Sequence, residues 1–177
     1  MDWYQTVFEL IDMRSFSNLW YWIALAVVWS TASHWVLGVP YDVVLRAKRD
    51  GGQAEADFHD LLRVNINRIL YIVNMSGIWV LALSCGLLSA LAILGFWYWV
   101  EFAQALFLLA FPMSIVGLIS VRTAHKIVEE NQPGEALYTR MRHHRLWTQV
   151  IGMLSIFVTS IWGMYQNLDT GVLGSGF

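Results

Sequence analysis

The residues best suited to hold a metal or a haem in this 177-residue chain are its five histidines, His34, His59, His125, His143 and His144. Glu55 with His59, and His125 with Glu129, stand four apart, so each pair shares one face of a helix. His34 and His125 are the candidates for axial haem ligation, which in a helical bundle needs imidazoles within the membrane. Their positions are poor for it: His34 falls near the end of one apolar run, and His125 lies past the end of another. A hairpin about Gly95 sets His59 opposite position 132 and His125 opposite position 66. At 1.5 Å per residue the two pairs miss each other by about 10 Å. The same register places Arg63 level with Glu129 as an ion pair.

The cations form the other chemical signal. Ten of the eleven Lys and Arg residues occupy two segments. Arg46, Lys48, Arg49, Arg63 and Arg68 form the first; Arg122, Lys126, Arg140, Arg142 and Arg145 form the second. His143 and His144 sit inside the second and suit contact with a phospholipid headgroup better than a metal. Arg46, Lys48, Arg49, Arg140, Arg142, His143, His144 and Arg145 are the candidate partner or lipid contacts. GxSxG, P-loop, HExxH and CxxC motifs are absent, as is a pair of intramembrane carboxylates. With Cys85 as its single cysteine, the chain cannot supply the thiolates of an iron–sulfur cluster. No catalytic, cofactor or metal residue is assigned, and the reading leans away from an enzyme.

The elements that position these groups follow from hydropathy. The chain is 57% hydrophobic and 14% charged, against about 45–50% and about 25% in soluble domains. Four apolar runs, at about 19–37, 69–94, 96–121 and 146–165, approach or exceed the ~20 residues that cross a bilayer as a helix. Trp20, Tyr21, Trp22 and Trp35 bound the first run, Trp97, Tyr98 and Trp99 open the third, and Trp147, Trp162 and Tyr165 bound the fourth, as interfacial belts do. Trp29 and Trp79 fall mid-span, against a neighbour or lipid. These features predict an all-α integral membrane four-helix bundle with helical extensions, folded as one domain. Basic loops remain cytoplasmic, so the segments 38–68 and 122–145 lie inside and both termini lie outside, in the periplasm of a bacterium. The acidic start, with Asp2, Glu9 and Asp12, is unlike a cleaved signal peptide.

Finer features follow. Trp3–Met13 has the spacing of a short interfacial helix, Ser15 or Ser17 is placed to cap the first span, and the glycine-rich end of segment 166–177 reads as a flexible tail. Tyr41–Asp50 reads as a helix stopped by Gly51–Gly52. Ala54–Arg68 extends the second span, and Asn131–Gln132–Pro133–Gly134 ends the extension of the third. Gly52–Phe58 and Gln132–Tyr138 echo one another: a break, then Glu-Ala, then an aromatic. Small-residue ridges at Ala26/Ser30/His34, Ala82/Gly86/Ala90 and Ser155/Thr159/Gly163 fit close packing within the bundle or between copies, or a pore-lining hydroxyl face. Glu101, at the start of the third run, suits the outer interface.

Two resemblances bear on function. Phe8-Glu-Leu-Ile-Asp-Met-Arg-Ser-Phe-Ser-Asn-Leu-Trp-Tyr-Trp, followed by Ser33-His-Trp-Val-Leu-Gly-Val-Pro-Tyr-Asp, resembles small alphaproteobacterial membrane proteins labelled "component of SufBCD complex". The resemblance covers most of the chain, carries no catalytic motif, and implies a bacterial inner membrane and a link to iron–sulfur assembly as a membrane partner. In topology the chain is also similar to the MAPEG superfamily of glutathione-using membrane enzymes. That family's Arg…Asn-x-x-Glu pattern would fall on Arg63 and Asn67, but Leu70 replaces the carboxylate, so no catalytic role carries over. The expectation is a non-enzymatic inner-membrane protein that docks or assembles a cytoplasmic complex through its basic face. The bilayer and anionic lipid headgroups are its implied partners, with a homo-oligomer open and nucleic acid excluded. A small oligomeric channel or passive transporter is the alternative, and a MAPEG-like enzyme or haem-binding bundle is a further one.

Overall fold

A computed structural model describes residues 15–130 and 134–171, with side chains described over 16–130 and 134–167. The interfacial helix expected at Trp3–Met13, the breaker residues Asn131–Pro133 and the last residues of the tail lie outside the described residues.

The described chain is all-α apart from one two-residue hairpin. A 3-10 turn at Ser15–Ser17 leads into α1, Leu19–His34. Asn18 caps α1 through its Oδ1, which accepts from the Trp20 amide at 3.0 Å. The cap is thus Asn18 rather than Ser15 or Ser17; Ser17 Oγ instead donates to Asn167 Oδ1 at 2.6 Å. Strands β1, Trp35–Val36, and β2, Val39–Pro40, pair antiparallel. Helix α2 covers Tyr41–Asp50, α3 Gly52–Ala92, α4 Glu101–Glu130 and α5 Glu135–Gly171.

The first apolar run does not continue as helix to Leu37. Leu37 and Gly38 adopt φ of +52° and +77°, the left-handed pair that a tight two-residue hairpin requires. A Cβ on Gly38 would lie 2.8 Å from Asn65 Oδ1, so both conformation and space select glycine. The apolar side chains of Val36, Leu37 and Val39 are buried in a core with Val44, Phe58, Leu62, Ala124 and Met141. They carry the hydropathy of a span but serve as packing for the basic end. Helix α1 is therefore 16 residues long, or about 24 Å.

Among the described residues three helices are long and apolar enough to cross a membrane: Gly52–Trp97, which includes a π-helical turn at Ile93–Trp97, Glu101–Glu130, and Glu135–Asn167. Helix α3 has 41 residues, about 60 Å. As the sequence predicts, Gly51–Gly52 ends α2, and the polar stretch 54–68 is continuous with the apolar one after it.

Tight contacts join the other helices. Pro112 inside α4 leaves the Leu108 carbonyl without its helical donor. Ser155 Oγ of α5 donates to that carbonyl at 3.3 Å. Beside Ser155, Gly152 lies directly under Trp29 of α1, and Gly163 lies under Phe16. The ridge Ser155/Thr159/Gly163 is therefore a packing surface, with Ser155 and Thr159 buried. The ridges Ala26/Ser30 and Ala82/Gly86/Ala90 face outward instead. The two mid-span tryptophans divide the same way: Trp29 is buried and Trp79 is exposed.

Candidate functional site

Among the described residues, polar side chains gather at both ends of the long helices. At the Gly95 end, Gln104 of α4 is wholly buried. Its Nε2 donates to the Gly95 carbonyl at 2.8 Å, and its Oε1 accepts from Trp162 Nε1 at 3.0 Å and from Gln166 Nε2. Glu101 accepts from the Phe16 amide at 2.7 Å, and the Trp22 indole donates to the Phe16 carbonyl. This network is structural. It ties the α3–α4 turn to α5 through Gln104 and the turn before α1 to α4 through Glu101, and satisfies backbone groups that irregular turns leave open. Gln104 is legible in sequence only as one polar residue in an apolar run; its role as a hub depends on Gly95 and Trp162 meeting it.

At the opposite, basic end, the eight expected contact residues divide by what each touches. Lys48 Nζ of α2 pairs with Glu135 Oε2 of α5 at 2.9 Å, and lies 5.9 Å from the Tyr138 ring centre. Arg145 of α5 stacks over the Tyr41 ring at 4.0 Å, and its Nε donates to the Ser33 carbonyl at 3.3 Å. These two cations clamp α2 onto α5. Arg140 pairs with Glu130 across the α4–α5 connection. Arg49 is paired with its neighbour Asp50 at 2.7 Å, and that hydrogen bond holds the Asp50 carboxyl below its usual pKa.

His144 is buried against α4, with Nε2 3.0 Å from Ser120 Oγ. Arg46, Arg142 and His143 are exposed and hold no hydrogen-bonded ion pair among the described residues.

Other pairings differ from the hairpin arithmetic. Arg63 binds Asp60 at 3.0 Å, one helical turn away, rather than Glu129. An exposed arginine finds an acid on its own helix with less side-chain ordering than one on a neighbour. His34 lies 3.8 Å from Asp42, while His125 turns its Nδ1 to the Val121 carbonyl of its own helix, so neither ring is directed at the other. Glu55 and His59 lie 3.8 Å apart and part-exposed. Among the described residues no three His, Cys, Asp or Glu side chains gather into a metal site. The echoing motifs do meet: Phe58 and Tyr138 stack with ring centres 5.6 Å apart and planes 21° from parallel.

Between α4 and α5 an open groove of about 540 Å³ runs from Glu135 and Lys126 at the polar end to Ile119 and Trp147 at the apolar end. Arg140, His143 and His144, three of the eight expected contact residues, line it. Thr123, Lys126 and Thr139 line it too, and sequence reasoning assigned them no role. Their signal is the spacing Ile119/Thr123/Lys126 on one helix and Thr139/His143/Trp147 on the other. It gains meaning only once the two stripes are known to face each other. No protein-family model, curated protein or solved structure matches the chain.

Proposed function

We propose that the chain is a non-enzymatic, multi-pass protein of the bacterial inner membrane that docks a cytoplasmic assembly on its basic end. In this reading all four apolar runs cross, with both termini outside. The 16 residues of α1 are short for a ~30 Å core, and the 3-10 turn before it with local bilayer thinning makes up the difference. The observation that carries the docking role is the packing of the basic end. Phe58, Val39, Ala124 and Met141 are wholly buried there, which makes it a rigid head on apolar helices rather than a pair of loops. The buried core around Phe58 holds that head together and Lys48 and Arg145 pair across it, while Arg46 and Arg142 point into solvent. Rigid placement of exposed cations lowers the ordering cost of binding an acidic partner. The resemblance to the SufBCD-linked proteins makes an iron–sulfur assembly complex the candidate partner.

The test is co-purification from native membranes of wild type and of the Arg46→Glu/Arg142→Glu variant. Loss of a partner that wild type retains in stoichiometric amount supports docking. An identical set of co-purifying proteins would refute it, since both substitutions lie on exposed side chains and leave the head's core intact.

A further inference from the structure

We infer that the α4–α5 groove is a binding site for the phosphate headgroup of an anionic phospholipid; the inference rests on the membrane placement proposed above. The groove is graded along its length. Ile119 and Trp147 line its apolar end, and Lys126, Arg140, Thr139 and His143 line the polar part. The two zones are separated by roughly two helical turns, about 10 Å, the depth over which a bilayer passes from acyl chain to phosphate. A lipid standing in the leaflet would lay its chain along Trp147 and Ile119 and lift its phosphate between Lys126 and His143.

The donor set fits one phosphate. Lys126 is exposed and has no ion pair among the described residues. Thr139 is exposed, and its hydroxyl has no hydrogen-bond partner among them. Arg140 gives Nη2 to Glu130 and keeps further N–H groups for a second acceptor. The Thr123 hydroxyl already donates to the Ile119 carbonyl at 2.8 Å, so it shapes the wall without adding a donor. Two carboxylates adjoin the site, and both are neutralised: Glu130 by Arg140, and Glu135 by Lys48 at 2.9 Å. What remains unpaired is a single cation beside neutral donors. That suits a phosphodiester of one negative charge better than an acidic protein surface, which would need several.

The experiment is native mass spectrometry of the full-length protein offered equal amounts of phosphatidylglycerol and phosphatidylcholine with matched chains. Wild type should retain phosphatidylglycerol in excess. Lys126→Gln should reduce that preference about fivefold, the effect of one cation near the surface. His143→Gln should reduce it by a smaller factor, and Arg46→Gln, outside the groove, should leave it unchanged. Lys126 and His143 are both exposed, so either variant reports if the other misfolds. Three outcomes would overturn the site: preference unchanged in both groove variants, an equal loss in Arg46→Gln, or thermal stabilisation by inorganic phosphate matching that by phosphatidylglycerol. A protein that stays monodisperse once detergent is removed would instead overturn the membrane placement, a result separate from headgroup selectivity.

Discussion

At the basic end of the molecule, Phe58 is 0% exposed and stacks on Tyr138; two-thirds of the way along the same helix, Trp79 is 77% exposed. Helix α3 thus passes from a core packed like that of a soluble protein to a surface of bare Ile78, Trp79, Leu83 and Leu87. The composition runs opposite to the burial. The polar stretch 54–68 encloses Phe58, Leu62 and Ile66, while the apolar stretch leaves most of its own large side chains outside. In water, apolar groups are driven inward at roughly 25 cal/mol per Å² buried. Lipid around an apolar helix gives no such drive, and only shape, small residues and hydrogen bonds hold helices together there.

The contrast can be broken most directly by truncating one aromatic in each region. Phe58→Ala should destabilise the folded protein by about 3–5 kcal/mol, as loss of a core aromatic does. Trp79→Ala should change stability by no more than about 0.5 kcal/mol. Unfolding in detergent followed by circular dichroism measures both. A large cost for Trp79→Ala would mean that the outer face of α3 is covered by another protein surface instead of lipid.

Two glycines sharpen the same point within the apolar region. A Cβ on Gly152 would lie 2.7 Å from Trp29 Cε3, whereas a Cβ on Gly86 would meet nothing within 4 Å. Gly152→Ala should therefore cost about 1–3 kcal/mol through overpacking. Gly86→Ala should be neutral or stabilise by up to about 1 kcal/mol through helix propensity. The melting temperature should fall for Gly152→Ala and hold or rise for Gly86→Ala; a parallel loss would place Gly86 in an interface between copies.

A small cost is expected at the clamp. Lys48→Gln removes the ion pair to Glu135, which is half-exposed and worth only about 0.2–1 kcal/mol. The same denaturation series should barely resolve it. A cost rivalling that of Phe58→Ala would mean that charge, and not burial, holds the basic end together.

Much of this architecture is legible in the amino-acid order, because the signals are local. A long uncharged run bounded by helix breakers favours a helix, and so α3, α4 and α5 follow from hydropathy together with the breaks at Gly51–Gly52 and at Gly134. The clustering of ten cations and the lack of catalytic motifs are likewise plain in one dimension. What hydropathy cannot separate is an apolar residue meant for lipid from one meant for a core. Val36, Leu37 and Val39 extend the first run in sequence, yet they turn at Leu37–Gly38 and plug the head.

The same limit governs the site. Arg145, Lys48 and Arg142 are indistinguishable as charges in a list. Only the placement of Tyr41, Glu135 and open solvent around them decides which are clamps and which are available to a ligand. Lys126 and Thr139 become neighbours across a groove solely because α4 and α5 pack with those stripes facing. Periodicity along one helix is set by its own 3.6-residue turn, but the facing of two helices is set by which side chains interlock, and that is a property of the assembled structure.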